Sequence, residues 1–278
     1  MSFLNLNNKP IWLIVLLMGM ILGLSSAMVL SFSRTPPTPA DIVKKAPEGT
    51  MSATFPEGSS IYKMGEILNA GGYLSSEAFQ EYAYQEAEPE WMVKYPYLAQ
   101  IPIKSLEGYL YPDTYIFSRY MSARRLALVM IRRFDEVVIP FWATAQSDTK
   151  LSLHQIVTLA SIIEKEAEKP EERPIIASVY LNRLRIGMKL DADPTVKYAL
   201  EDPHKKVYLN DLKVKSPYNT YQNKGLPPTP ISNPTRESIN AVLHPQASDY
   251  LYYLHDMEGK IHYGRTLEEH NANKAQYL

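Results

Sequence analysis

From Ile11 to Phe32 the chain runs without a charged side chain, IWLIVLLMGMILGLSSAMVLSF. A helix needs roughly 20 predominantly apolar residues to cross a bilayer, so residues 11–33 are expected to form a transmembrane helix behind a short cytoplasmic N-terminus, 1–10. Ser25 and Ala27 are small enough to be read by a signal peptidase, which makes a cleaved leader the alternative. Apolar character resumes with Met28, Val29, Leu30 and Phe32, and this continuation favours an anchor. Flanking charge does not set the orientation, because only Lys9 precedes the run while Arg34, Lys44 and Lys45 follow it. Residues 34–50 are Pro-rich and polar and read as an extended linker.

Lys and Arg number 29 against 30 Asp and Glu, with no polybasic run, so nothing suggests a nucleic-acid partner or an anionic-lipid patch. The chain has no cysteine, which excludes disulfides, thiol nucleophiles and cysteine-ligated metals together. Its six histidines, 154, 204, 244, 255, 262 and 270, show no H-E-x-x-H or comparable ligand spacing. Neither a G-x-S-x-G elbow nor a phosphate-binding glycine loop is present. No cofactor and no metal are therefore expected.

Beyond the linker the pattern predicts an α+β chain. In a small module, 51–102, Phe55-Pro56-Glu57-Gly58 reads as a strand ending in a turn. A helix over Ile61–Leu68 stops at Gly71-Gly72, and Ser75 caps a second helix that runs through Phe79 to Tyr84. The larger domain, 103–278, opens with strand and loop around Leu106–Tyr115. Helices follow over 123–138, 153–168 and 174–184, the last stopped by Gly187. The Tyr- and Pro-rich stretch 208–233 has little periodicity. Ser232 or Asn233 is expected to start a helix with Pro234 in its first turn. A hairpin of 250–255 and 260–263 precedes a C-terminal helix that Thr266 and Glu269 cap.

The helix after Ser152 has a well-specified start, since Ser152 and Gln155 form a capping box. At about 100° per residue, Leu153, Ile156, Val157, Ala160, Ile163 and Ala167 share one arc, and Glu164 falls near its middle. Acidic side chains are almost never fully buried unless paired, and an apolar surround disfavours the charged form. A carboxyl there can hold a proton near neutral pH, as a general acid for glycoside cleavage must. An internal ion pair with Arg173 or Arg183 is the competing explanation. Lys165 and Glu166 project away, which makes Glu166 the poorer candidate. Among the other carboxylates, Glu107 is expected to shape the cleft, whereas Asp113, Asp191 and Asp193 read first as turn or loop residues. Tyr218, Asn219 and Thr220 offer a ring face, an amide and a hydroxyl side by side, a set suited to sugars, or else form a Pro-flanked structural turn.

Three runs then carry a resemblance: LASIIEKE (159–166), ASVYLNRL (177–184) and MKLDADPTV (188–196). EGYLYPDTY (107–115) upstream, and SPYNTY (216–221), GLPP (225–228) and Glu269-His270-Asn271 downstream, keep the same order. Together they resemble the YceG-like endolytic murein transglycosylases, from about Phe55 to the C-terminus. The resemblance implies Glu164 as catalytic residue; Glu107, Asn182, Asp193, Tyr218, Asn219 and Thr220 are the expected substrate-binding residues. It further implies a LysM-like module before the catalytic domain and a single-pass protein of the cytoplasmic membrane with that domain outside the cytoplasm. Peptidoglycan glycan strands would be its substrate and peptidoglycan synthases its neighbours. Family members carry an additional stretch before the Pro-Glu-Gly segment, so the module is expected here in truncated form. A non-catalytic wall-binding or division scaffold, and a peptidoglycan glycoside hydrolase, are the alternatives.

Overall fold

In the computed structural model, which describes residues 49–278 apart from 86, 147–148 and 203–204, two antiparallel strand pairs flank a group of helices. Strand β1 (Thr50–Thr54) pairs with β2 (Thr114–Ser118), running from Thr50 opposite Ser118 to Thr54 opposite Thr114. Ala53, Tyr115 and Phe117 turn inward on the buried face. This sheet crosses the boundary expected between residues 102 and 103, and the described residues, from Gly49 on, pack as a single unit. The apolar run 11–33, the tail before it and most of the linker lie outside the described residues. Among the described residues no helix is long and apolar enough to cross a membrane.

Between the two strands lie α1 (Ile61–Ala70), α2 (Ser76–Ala83) and α3 (Pro89–Lys94). Ser60 and Ser75 cap the first two by accepting hydrogen bonds from the backbone N–H groups of Lys63 and Ala78, a contact worth about 1 kcal/mol each. The third helix was not legible in the apolar periodicity, because it is short and begins at Pro89, whose fixed φ suits a first turn.

Helix α4 (Ala123–Ala145) outruns its expected end near Val138 and passes through Pro140. It buries Leu126, Met130, Ile131, Phe134 and Val138, the four-turn stripe of a helix with one face on the core. Helix α5 (Leu153–Glu166) starts at the Ser152–Gln155 capping box as expected. Ile156, Val157, Leu159, Ala160, Ile162 and Ile163 are all fully buried. These positions go all round the helix, so α5 is the central element rather than a surface one.

Helices α6 (Arg173–Arg185), α7 (Asp193–Ala199) and α8 (Arg236–Leu243) surround it. Asp193 does not lie in a loop as expected but opens α7, with Pro194 in its first turn. Nor does α8 begin at Ser232 or Asn233: its N-cap is Thr235. The reason is that residues 231–233 are engaged elsewhere, strapped across α5. The Ile231 N–H donates to Ser161 Oγ at 3.0 Å, and Ser232 Oγ donates to the Ser161 carbonyl at 3.2 Å. The hairpin β3 (Tyr252–His255) and β4 (Ile261–Gly264) and helix α9 (Leu267–Tyr277) complete the fold.

Candidate active site

Glu164 sits in the last turn of α5, where the helix meets the first residue of α6 and the N-cap of α8. Its side chain is 4% exposed. Arg173 Nη2 donates to its Oε1 at 2.9 Å. The Thr235 backbone N–H and hydroxyl donate to its Oε2 at 2.9 and 2.6 Å. The aliphatic enclosure expected from the helical arc is therefore absent at the carboxyl itself: three donors converge on it, one of them a guanidinium. A helix start also presents partial positive charge to an acid placed there. Of the two arginines weighed as partners, Arg173 is the one that pairs. Arg183 instead donates to the carbonyls of Leu251 and Leu190, both at 2.6 Å.

The turn after β1 lies over this carboxylate. Gly58 adopts φ +66°, and a Cβ at that position would meet Glu164 Cγ at 3.1 Å and Lys165 Cδ at 3.2 Å. Only glycine tolerates both the left-handed backbone and the close approach. The Gly58 N–H donates to the Asn233 carbonyl at 3.1 Å, which fixes the turn to the strap. Next to it, Glu57 Oε2 stands 4.0 Å from Arg173 Nη2 with its side chain 68% exposed. Partial burial pushes the Glu57 carboxyl above its ordinary range, the charge of Glu164 adds to this, and Arg173 opposes it. Arg173 Nε is buried and has no hydrogen-bond partner among the described residues.

Glu166 leaves α5 on another side. Its Oε2 accepts from the Tyr253 hydroxyl at 2.5 Å, and that hydroxyl lies 3.0 Å from the Tyr180 hydroxyl. Burial raises its carboxyl. His255 is held by Glu172 at 3.1 Å nearby.

Most of the expected sugar contacts turn inward. Glu107 is fully buried, with the Ile61 N–H donating to both of its oxygens at 3.1 Å and Asn233 Nδ2 to Oε1 at 2.9 Å. The Tyr198 hydroxyl adds a longer contact of 3.3 Å. Burial pushes the Glu107 carboxyl up to about 8. Asn182 Nδ2 donates to the carbonyls of Ser248 and Tyr250 and ties the approach to β3 onto α6. Asn219 is fully buried and donates to the carbonyls of Leu212 and Val214. Thr220 Oγ1 accepts from the Ala192 N–H at 3.0 Å and lies 2.9 Å from Thr195 Oγ1. Tyr218 rests its ring against Tyr198 at 4.8 Å, with its hydroxyl 2.8 Å from Thr229 Oγ1. Of the group, Asp193 alone is exposed, accepting from the Tyr221 hydroxyl at 2.7 Å. These side chains hold together a loop region without regular ladders, so their polar atoms are used internally.

A groove of about 650 Å³ opens at the other end of α5, lined by Leu151, His154, Gln155, Leu226 and Pro227 among others. Glu164 is nine residues beyond Gln155, roughly 13 Å along the helix axis, so this groove does not contain it. Sequence reasoning missed Glu57 and Thr235. The Pro-Glu-Gly turn was read only as the end of a strand, and Thr235 was hidden behind the expectation that α8 starts two residues earlier. Among the described residues no group of three or more His, Cys, Asp or Glu side chains is placed to hold a metal ion.

Comparison with known proteins identifies the fold. The model of the YceG-like family matches residues 33–276. A crystal structure of a yceG-like protein from Listeria monocytogenes superposes with a TM-score of 0.70 at 38% identity, covering 84% of this chain and 80% of that one. An endolytic murein transglycosylase of Bacillus subtilis is 42% identical over 174 residues, which are 62% of this chain and 48% of that protein. A protein of the same name from Streptococcus pneumoniae is 32% identical over 244 residues, 81% of this chain and 44% of the relative. The chain belongs to the YceG-like family. It spans about half the length of the curated relatives it matches.

Proposed function

We propose that this chain is an endolytic peptidoglycan lytic transglycosylase with Glu164 as its catalytic carboxylate. The observation that carries this reading is the position of Glu164: in a chain similar to proteins named for that activity, one carboxylate is aimed by Arg173 and the start of α8 toward a turn bearing a second, exposed acid.

The reaction cleaves the bond between N-acetylmuramic acid and N-acetylglucosamine. As the bond from C1 to the bridging oxygen breaks, positive charge develops at C1 and the bridging oxygen needs a proton. The muramic C6 hydroxyl then attacks C1, gives up its proton and closes a 1,6-anhydro ring. Water is not consumed, and one carboxylate can in principle act first as acid and then as base. The base half suits the surroundings of Glu164. Three donors fix its two oxygens, so the group that takes the proton is held in place before the hydroxyl attacks.

The proposal extends to placement. The apolar run 11–33 anchors the chain in the cytoplasmic membrane, and the catalytic part faces the wall beside the synthases that extrude new strands. The segment from β1 to α3 serves as a shortened LysM-like module. The decisive measurement is the mass of the products released from purified sacculi by the full chain. Anhydro ends are expected, and Glu164→Gln should reduce their rate by about three orders of magnitude. Ends one water heavier would indicate a hydrolase, and binding to sacculi without any cleavage would indicate a scaffold.

A further inference from the structure

Two carboxylates share one guanidinium at this centre. Arg173 Nη2 lies 2.9 Å from Glu164 Oε1 and 4.0 Å from Glu57 Oε2. The pair therefore stands no farther apart than the roughly 5 to 9.5 Å at which paired carboxylates work across a glycosidic bond. Their surroundings differ sharply. Glu164 is 4% exposed and takes three hydrogen bonds, whereas Glu57 is 68% exposed. The site is built to hold Glu57 there: Gly58 seats the turn on Glu164, its N–H is bonded to the Asn233 carbonyl, and its own carbonyl accepts from Lys165 Nζ at 3.4 Å.

We infer that Glu57 is a second catalytic carboxylate, the acid that protonates the bridging oxygen, while Glu164 takes the proton from the attacking hydroxyl. The inference rests on the transglycosylase reading above. The Glu57 proton passes to the bridging oxygen, which keeps the electron pair of the broken bond to C1. The C6 oxygen supplies the pair for the new bond to C1, and its proton goes to Glu164. Returning that proton from Glu164 to Glu57 resets the centre with no net gain or loss.

The charged groups facing Glu57 are Glu164 on α5, Arg173 on α6 and Glu237 on α8, with Lys165 beyond Gly58. Two of them, Glu164 and Glu237, add to the effect of burial in favouring the protonated form, and Arg173 opposes them. An acid must carry its proton to act, so activity should fall as pH rises through the Glu57 titration, and Glu57→Gln should lose that alkaline limb. The side chain is mostly solvent-exposed, so the variant is expected to fold; a thermal melt beside wild type checks this.

The test compares wild type, Glu57→Gln and Glu164→Gln, as full chains, on two substrates. One is glycan strands from sacculi; the other is a synthetic muropeptide oligomer whose muramic C1 carries a nitrophenyl leaving group, which departs without a proton. On strands Glu57→Gln should lose a factor of roughly 10²–10⁴. On the activated substrate it should recover to within tenfold of wild type, while Glu164→Gln stays low on both. Glu57→Gln within threefold of wild type on strands, or equally impaired on both substrates, overturns the inference and leaves the transglycosylase reading standing. A wild type that releases no anhydro ends removes that reading itself.

Discussion

Glu107 and the Glu164 side chain are both nearly excluded from solvent, and a single short stretch, residues 233–235, serves both, yet they live in opposite electrostatic surroundings. Glu107 meets the Ile61 N–H, an amide from Asn233 and a phenol from Tyr198, with no cation on its carboxyl among the described residues. Glu164 meets the Thr235 N–H and hydroxyl and a full guanidinium. Burial without a countercharge favours the neutral acid, and burial with one favours the ion pair. The condition that the apolar arc of α5 predicted for Glu164 is thus realised at Glu107, in a segment where periodicity offered no hint of it. Equal exposure says little about the charge a carboxyl carries; the identity of the neighbouring donors decides.

Four substitutions probe this contrast. Arg173→Met should have the largest effect on stability, about 3–5 kcal/mol, because it leaves Glu164 enclosed with no countercharge. Chemical denaturation at neutral pH measures it, and a loss under 1 kcal/mol would mean that the pair is effectively solvated. Glu107→Gln tests the other side. The folded chain holds the Glu107 proton up to about 8, whereas an unfolded chain releases it near 4.3. Between those values the folded state binds more protons, so wild-type stability should be complete below the window and decline by about 1.4 kcal/mol per pH unit as pH rises through it. Glu107→Gln should flatten that slope in urea midpoints taken from pH 5 to 8, and an unchanged slope would assign it to another group.

Gly58→Ala should cost roughly 1–2 kcal/mol from the positive φ alone. It should also slow strand cleavage, because the new Cβ presses on Glu164 Cγ. A melt and a cleavage assay run in parallel separate the two effects. Thr235→Ala removes the N-cap of α8 and one donor to Glu164, and about 1 kcal/mol is expected. A loss as large as that from Arg173→Met would show that the hydroxyl, not the guanidinium, dominates at that carboxylate.

Helix positions were readable where local chemistry specifies them. The Ser152–Gln155 box begins α5, Ser75 begins α2 and Gly187 follows α6, each from contacts within a few residues. The start of α8 was misplaced, because Asn233 is held by distant partners: its Oδ1 accepts from the N–H groups of Gly108 and Leu110, and its Nδ2 donates to Ser59. The same limit applies at the site. Periodicity singled out Glu164, but no local pattern could show that Arg173 and Thr235 converge on it. Asn219 and Thr220 looked like sugar contacts by residue type, and only tertiary structure reveals that neighbouring groups of the chain claim their polar atoms.

The pairing of β1 with β2 bears on how this chain can be divided. A cut near residue 102 would strip β2 of its partner, leaving Tyr115 and Phe117 against an unzipped edge that invites association with other chains. It would also carry Glu57 away from Arg173. The two parts that the sequence separates so readily are therefore bound to a common fate, and neither can be exchanged between relatives without the other.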